Sequence, residues 1–244
     1  MVRVTHRIES SLHKLRGHLV ATPLVGGLYL PGVSIPADLR IKAECLQGPG
    51  GIWFRGAMLE LSRHFGALKG IVVSDELRPA LAAATAARAQ RIPCVAVTDS
   101  ERDAALFGRL GHEFVLITDG TAPNEVAERT RRELGYAIMP GLETDDYAAG
   151  IATVGLELAH ELPRDTAFVS VSPARLAAPI EAGLAAGGRD CAVVGVDPDE
   201  TDDEDLRRAL RIGTRIDCDR FGTAALRAAI DAPADSLPCA ILAS

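Results

Sequence analysis

The sequence predicts an α/β fold built on parallel sheets. Short apolar segments with the character of strands alternate with helix-like segments along the chain. Helices of ten or more residues between consecutive strands are the connections that parallel strands require, and such crossovers are right-handed. The predicted strands are largely apolar, as expected for strands buried on both faces of a sheet. Ligands of such folds usually bind beyond the carboxyl ends of the strands.

The first predicted elements lie between residues 39 and 109. Residues 39–45 alternate between apolar and polar, which is typical of a half-buried strand. Apolar residues then recur at helical spacing from Phe54 onward, and Gly66 is predicted to end that helix. The other predicted elements of this part are strands at 70–73 and 94–97 and helices at 79–90 and 101–109.

The second part of the chain continues the alternation. A helix at 123–134 is predicted to end at Gly135, and a helix at 174–186 ends at two further glycines. The acidic run 197–205 is predicted to be a solvated loop and the start of a helix. The remaining predictions are strands at 114–117, 166–171, 191–196 and 239–242 and a longer helix at 145–161.

Composition and charge argue against several classes of protein. The net charge of −7 and the scattered basic residues argue against a nucleic-acid partner. We see no signal peptide and no run of ~18 apolar residues, so we expect no membrane partner. Five well-separated cysteines argue against a disulfide framework or a zinc site and fit a reducing compartment. We therefore expect a cytoplasmic protein.

Five segments carry motifs that occur together, and in this order, in one enzyme family. They resemble, in turn, Thr-Pro-Leu, Lys-x-Glu-x-x-Gln, Gly-Ser-Phe-Lys-x-Arg-Gly-Ala, Gly-Gln-Gly-Thr-x-x-x-Glu and a strand that ends in Glu-Pro. The segments are 22–24, 42–47, 50–57, 150–157 and 193–198. The chain thus resembles the threonine dehydratase and serine racemase family, the fold-type II pyridoxal phosphate enzymes.

The resemblance implies a two-domain fold of the tryptophan synthase beta-like kind. Residues 1–65 and 145–244 would form the large domain and residues 66–144 the small domain, with the site in the cleft between them. The family carries several dozen more residues between positions 205 and 213, so the large domain would be shortened. Members of this family commonly form dimers.

The position of the family's Schiff-base lysine is changed. Matching through Arg55 places Trp53 there, and indole cannot form an imine. The chain has three lysines, Lys14, Lys42 and Lys69, and Lys42 matches a strand lysine of the family with another role. We therefore expect no cofactor and, in particular, no covalently bound pyridoxal phosphate.

Three further cofactor contacts are changed as well. The glycine run that binds the phosphate matches residues 172–175, where Pro173 has no N–H to donate. The loop that contacts the ring and the substrate matches residues 75–81, with Arg78 at the asparagine position. The terminal serine motif matches residues 243–244. The framework motifs persist while the cofactor contacts differ, which predicts a degenerate family member.

Two interpretations of the replaced site stay open. Trp53 would fill the space of the pyridine ring or act as a stacking platform for a planar ligand. Arg78 and Arg175 would pair with acids or, together with Ser172, bind a small anionic ligand. A separate hypothesis makes Asp197 and Asp203 ligands of a divalent cation, although we expect no metal and solvated acids instead.

These observations predict a pseudoenzyme that binds a small carboxylate or amino acid, or serves as a non-catalytic subunit. As a subunit it would form a homodimer or a heteromer with an active relative. The alternative is a cofactor-independent lyase- or cyclase-type enzyme that acts on a carboxylate, with Asp75 and Glu76 as acid–base groups. A third interpretation, in which the cofactor binds without a covalent bond, fits the changed phosphate contacts least.

Overall fold

The structure is a computed structural model of the 244-residue chain. It describes residues 2–64, 66–74, 76–198, 203–233 and 236–243, with side chains from His6 onward. Within these ranges no helix combines the length and the apolar character needed to cross a membrane. Asp75 and Ser244, which the sequence analysis assigned to the site, lie outside the described residues.

The described elements alternate as predicted, and each of the α-helices is longer than any of the strands. The helices are α1 (Val2–Leu15), α2 (Trp53–Arg63), α3 (Leu77–Ala89), α4 (Glu101–Arg109), α5 (Pro123–Leu134), α6 (Asp145–Glu161), α7 (Ala177–Ala186), α8 (Glu204–Thr214) and α9 (Arg220–Ile230). The strands are β1 (Leu24–Val25), β2 (Arg40–Lys42), β3 (Ile71–Val73), β4 (Cys94–Thr98), β5 (Glu113–Leu116), β6 (Ala137–Ile138), β7 (Phe168–Val171), β8 (Ala192–Gly195) and β9 (Cys239–Ile241). Two short 3₁₀ helices, Glu44–Gln47 and Ala174–Leu176, complete the described elements.

The chain forms two compact units, each with one sheet. The large unit comprises Met1–Ile52 and Ile151–Ser244, and the small unit comprises Trp53–Gly150. The large-unit sheet has the order β1-β2-β9-β7-β8, with β1 antiparallel to β2 and all other pairs parallel. The small-unit sheet has the order β5-β4-β3-β6 and is parallel throughout. The predicted α/β fold with parallel sheets is therefore confirmed.

Helix α2 packs against α3 within the small unit. The boundaries implied by the resemblance placed the same helix in the large domain, before residue 66. That domain division stays a prediction.

Several elements differ from the sequence-based expectations. The strand predicted at 39–45 ends at Lys42, because the chain turns into the 3₁₀ helix at Glu44. Strands β1 and β6 have two residues each, too few for alternation to be visible in the sequence. Helix α9 was missed, although Asp219 precedes it and its side chain accepts from the Phe221 and Gly222 N–H groups as an N-cap.

Alternation along the large-unit strands directs apolar and charged side chains to opposite faces. Leu39, Ile41 and Ala43 pack in one core with residues of α8 and α9. Because neighbouring strand residues point to opposite faces, Lys42 points away from that core, toward Glu157 and Glu161 of α6. A single residue of β2 thus carries the charge that anchors α6.

Helices α6 and α7 approach so closely that their contact requires glycine. A Cβ atom on Gly155 would overlap the Ile180 carbonyl oxygen, and one on Gly183 would overlap the Ala152 carbonyl oxygen. Backbone stands against backbone at this crossing, so neither neighbour can yield by changing a rotamer.

We expect Gly155→Ala to destabilise the chain by about 1–3 kcal/mol, the usual cost of overpacking a filled core. The gain in helix propensity, about 1 kcal/mol, offsets only part of this cost. Gly17→Ala is the control, because a Cβ atom at Gly17 meets nothing within 4 Å. Urea denaturation of the three proteins measures the difference, and equal midpoints for the two variants would show that the crossing is loose.

Candidate functional site

The start of α2 is fixed by a glycine turn. Gly48, Gly50 and Gly51 have φ angles of 113°, 95° and 56°, in the region that residues with side chains rarely adopt. The Ile52 N–H then donates to the Ala243 carbonyl at 2.9 Å. Trp53 is the first residue of α2 and is only 5% exposed. The glycine-rich segment therefore serves to turn the backbone into α2.

Helix α2 lies close to the first turns of α6 within the small unit. A Cβ atom on Gly56 would overlap the ring of Tyr147, and one on Gly150 would overlap the Arg55 carbonyl oxygen. Arg55 is itself fully buried. The glycines of the motif segments 50–57 and 150–157 thus allow α2 and α6 to pack at short range.

A polar contact joins the same two helices. The Thr144 hydroxyl donates to Glu60 Oε2 at 2.6 Å and accepts from the Tyr147 N–H at 3.2 Å, which caps α6. Arg63 pairs with Asp146 at 3.1 Å. These bonds hold the C-terminal part of α2 against the start of α6 within the small unit.

Each of the three lysines has its own place in the fold. Lys42 Nζ lies 3.1 Å from Glu157 Oε2 and 2.8 Å from Glu161 Oε2, donates to the Thr22 carbonyl, and belongs to a side chain that is only 1% exposed. Lys69 is exposed and donates to the Leu134 carbonyl at the end of α5. Lys14 is exposed in the last turn of α1.

Two adjoining pockets open at the carboxyl end of the small-unit sheet. The smaller, of about 180 Å³, mixes apolar and polar side chains, and the larger, of about 400 Å³, is mostly polar. Ser74 and Asn124 line both pockets, and the Ser74 hydroxyl donates to Asn124 Oδ1 at 3.0 Å. Other lining residues are Val73, Ala80, Ile138, Met139 and Tyr147 in the smaller pocket and Glu76, Thr98, Asp99 and Asp103 in the larger one.

Helix ends determine the electrostatics of the larger pocket. Glu76 immediately precedes α3, and Asp103 lies in the first turn of α4, where its N–H donates to the Ser100 hydroxyl. Negative side chains at helix N-termini are stabilised by the helix dipole. These acids therefore complement the helices, and the pocket suits a small polar ligand that exchanges hydrogen bonds with hydroxyl, amide and carboxylate groups.

Of these lining residues, Glu76 was predicted from the sequence, whereas Ser74, Asn124 and Tyr147 were not. Ser74 follows β3 directly, and Asn124 begins α5 after the loop that follows β5. The rule that ligands bind beyond the carboxyl ends of parallel strands would have identified both positions. Tyr147 lies inside a helix, and nothing in the sequence pattern assigns it to a pocket.

A second polar site lies in the large unit, at the turn after β7. The Ser172 hydroxyl is buried and has no hydrogen-bond partner among the described residues. The Ala174 N–H donates to Asp197 Oδ1 at 3.0 Å. Arg175 is exposed in the 3₁₀ helix that follows.

The predicted anion site and cation site stay predictions. Arg78 belongs to the small unit, in the first turn of α3, whereas Arg175 belongs to the large unit. Asp203 accepts from the Leu206 N–H as the N-cap of α8 and pairs with Arg227 Nη2 at 2.6 Å. In the part of the chain that is described, no group of three or more metal-ligating side chains comes together.

The comparison with protein families identifies one family for nearly the whole chain. The model described as "Pyridoxal-phosphate dependent enzyme" matches residues 15–242. The chain belongs to this family. The family prediction from the five motifs is therefore confirmed.

Curated relatives of this pyridoxal-phosphate dependent family member have named activities on amino acids. L-threo-3-hydroxyaspartate ammonia-lyase of a Pseudomonas species is 28% identical over 227 residues, which cover 90% of this chain and 70% of that enzyme. Serine racemase of Oryza sativa subsp. indica is 24% identical over 211 residues, 84% of this chain and 62% of the racemase. The chain thus spans about two thirds of these relatives.

A solved structure supports the fold. The threonine deaminase of T.th. superposes with a TM-score of 0.80 at 20% identity, covering 98% of this chain and 96% of the deaminase chain. At this identity the likeness shows the fold alone, and it confirms the fold-type II architecture.

The expectation of no cofactor is wrong. The matched family is pyridoxal-phosphate dependent, so pyridoxal phosphate is the cofactor that family membership assigns to the chain. The error came from equating four changed contacts with absence of the cofactor. The residues at the positions of the family's cofactor contacts do differ from the family pattern. Trp53 offers no amine, and Pro173 offers no N–H. The Ala174 N–H donates to Asp197.

The ion pair of Asp203 with Arg227 should make the stability of the large unit depend on pH. Its hydrogen bond with Arg227 holds the pKa of the carboxyl below the ordinary value of 3.8, with a smaller contribution from the Leu206 N–H. A carboxyl whose pKa is lower in the folded than in the unfolded chain stabilises the fold when the pH is above its pKa in the unfolded chain. This contribution is lost as the pH falls through its pKa in the folded chain.

We expect Asp203→Asn to lower the free energy of unfolding by about 0.5–1 kcal/mol at pH 7, because the pair is partly exposed. The difference from the unmodified chain should shrink as the pH falls toward ~2. Asp205→Asn, in the first turn of the same helix, is the control for the helix dipole. Denaturation at several pH values measures the effect, and an equal loss in both variants would assign it to the dipole and not to the ion pair.

Proposed function

We propose that this chain is a family member without lysine-dependent amino-acid chemistry at the start of α2, and that it binds a small polar ligand such as an amino acid. The proposal concerns imine formation by a lysine at this position, and pyridoxal phosphate remains the cofactor of the family. It also fits a non-catalytic subunit of a homodimer or of a heteromer with an active relative. Co-purification with such a relative tests that role.

The placement of the lysines carries the proposal. Imine chemistry needs a deprotonated amine within reach of the cofactor aldehyde. The residue matched to that role is Trp53, in the buried first turn of α2. The buried ammonium of Lys42 is held by two carboxylates, and Lys14 and Lys69 are exposed on other helices and loops.

The pockets of the small unit support the binding role. They lie at the carboxyl end of a parallel sheet, the usual ligand position in such folds. The smaller pocket offers an apolar wall of Val73, Ile138 and Met139 beside the hydroxyl of Ser74 and the amide of Asn124. A small molecule with one polar and one apolar side suits this lining.

Glu76 keeps the enzyme alternative open. Its carboxylate lines the larger pocket together with Asp99 and Asp103, so a ligand there would meet potential acid–base groups. A lyase- or cyclase-type reaction on a carboxylate, the alternative function, would then depend on Glu76. Loss of turnover in Glu76→Gln, with ligand binding retained, would support this alternative.

The first test restores the missing amine. We expect the unmodified chain with pyridoxal phosphate to release no ammonia from L-serine, L-threonine or L-threo-3-hydroxyaspartate, because the residue at the matched position cannot form an imine. Trp53→Lys should gain an imine absorbance band that borohydride reduction fixes on residue 53, and Trp53→Phe should not. Peptide mass spectrometry locates the reduced adduct.

Turnover of any of these amino acids by the unmodified chain at rates typical of enzymes, about 1 per second or more, would overturn the proposal. This outcome does not depend on whether Trp53→Lys folds. Circular dichroism of the variants shows whether they fold.

The second test addresses binding. An amino-acid ligand at one hundred times its Kd should raise the free energy of unfolding by about 2.7 kcal/mol. We expect Ser74→Ala to reduce that stabilisation, because it removes a hydroxyl that lines both pockets. Ser62→Ala is the matched control, since its hydroxyl bonds the Leu59 carbonyl within α2. Equal responses in both variants, or no response of the unmodified chain to any amino acid, would count against the pockets.

A further inference from the structure

Strand β8 is an outer strand of the large-unit sheet, where it pairs with β7 alone. The Ala192 and Val196 N–H groups donate to carbonyl groups on the β7 side. Because successive residues of a strand turn their backbone groups to opposite sides, Val193 and Gly195 direct theirs away from the sheet. In the described part of the chain neither of these N–H groups has a hydrogen-bond partner. These outward backbone groups are the free edge of β8.

The free edge of β8 differs from the other sheet edges in length and composition. The outer strands β1 and β6 have two residues each, too few to offer a row of pairing groups. The outer strand β5 has four residues but begins with Glu113, and a charged residue is a common protection of an exposed edge. Strand β8 has the sequence Ala-Val-Val-Gly, without charge or proline. Among the described edges it is the one best suited to pair with another strand.

The exposure of β8 does not match its apolar sequence. In the neighbouring strand β7, Val169, Ser170 and Val171 are buried. In β8, by contrast, Ala192 is exposed and the other three residues are partly exposed. Continuous apolar runs normally belong to strands that are covered by other parts of the protein. Strand β8 therefore has the composition of an inner strand and the position of an outer one.

Carboxylates flank the free edge at both ends. Asp190 precedes β8 and Asp197 follows it, and both are exposed. The neighbouring basic residue, Arg189, directs its guanidinium to the Pro163 carbonyl. A second copy of β8 would bring the same two carboxylates to the edge, and like charges on paired strands are destabilising. A strand with lysine or arginine at its ends would instead meet an opposite charge at each end.

We propose that the free edge of β8 is a docking site for an extended segment of a partner protein, β-branched in its middle and basic at its ends. The segment adds a strand to the five-stranded sheet. Main-chain hydrogen bonds to Val193 and Gly195 supply affinity, and the flanking carboxylates select the charge of the segment. The proposal goes beyond the proposed function, because it concerns a surface of the large unit and holds whatever the small-unit pockets bind.

Two synthetic peptides test the docking site on the full chain. The first is Lys-Thr-Val-Thr-Val-Thr-Lys with a fluorescent label, and the second has glutamate in place of both lysines. We expect the lysine-ended peptide to bind at least about tenfold more tightly in anisotropy titrations at low salt. The preference should shrink as the ionic strength rises. Equal binding of the two peptides, or no binding of the lysine-ended one up to about 1 mM, would overturn the proposal.

A proline substitution locates the bound peptide. Val193→Pro removes an outward N–H and leaves the hydrogen bonds to β7 in place, a change that edge strands tolerate. We expect it to weaken binding of the lysine-ended peptide at least about tenfold. The matched control is Phe114→Pro in the outer strand β5, where the inward Ile117 N–H shows that Phe114 faces outward. This control should bind like the unmodified chain, and circular dichroism shows whether both variants are folded.

A modified peptide repeats the test without any change in the protein. Methylation of alternate peptide nitrogens removes the donors on one side of the strand, so both alternately methylated versions are compared. The version that lacks the donors facing β8 should lose binding. If both methylated versions and Val193→Pro retain full binding, the peptide binds elsewhere and the proposal is wrong.

Sedimentation of the unmodified chain and of Val193→Pro tests the other occupant of the edge. Self-association that is lost in Val193→Pro would assign the free edge to a second copy and overturn the proposal. Unchanged association together with lost peptide binding is the expected result.

Discussion

Close backbone packing along α6 is the constraint on which the described fold depends. In the small unit, Gly150 brings α6 against the backbone of α2 at Arg55 and Gly56. In the large unit, Gly155 brings it against α7, and Glu157 and Glu161 bind the buried ammonium of Lys42. Backbone contacts of this kind tolerate no added methyl group, because neither partner has a rotamer with which to yield. Residues of α6 thus determine how closely its neighbours pack against it within each unit.

This constraint explains why some family motifs persist while others differ. The persistent ones supply packing glycines and buried ion pairs, which include Gly56, Gly150, Lys42 and Glu157. Loss of any of them would leave a clash, a cavity or an uncompensated buried charge. The changed positions include Trp53, which is buried at the start of α2, and Pro173, which is buried in the turn after β7. The residues at these two positions therefore differ from the family motifs within a fold that is retained.

The sequence predicted the alternation of strands and helices, because apolar periodicity and glycine stops are local properties. It did not predict β6, since a two-residue strand is too short to show a period. It also did not predict α9, so the role of Asp219 as the N-cap of that helix was missed as well.

The site was harder to predict because it depends on which loops meet. Ser74 and Asn124 are 50 residues apart and share a hydrogen bond through the order of the strands. The bond between Asp197 and Ala174 likewise requires the β7–β8 pairing, and the two residues gave separate hypotheses in the sequence. Family membership corrected the one inference, absence of the cofactor, that individual residues could not support.

The burial of Lys42 has a consequence for reagents that react with amines. Its ammonium is enclosed by two carboxylates and a carbonyl, and its side chain is only 1% exposed, so reagents in solution cannot reach it in the folded chain. Acylating agents and aldehydes in solution therefore meet only two lysine side chains on the folded surface, those of Lys14 and Lys69. Reactivity at Lys42 would accordingly report opening of the large unit, which makes this lysine a built-in probe of local unfolding.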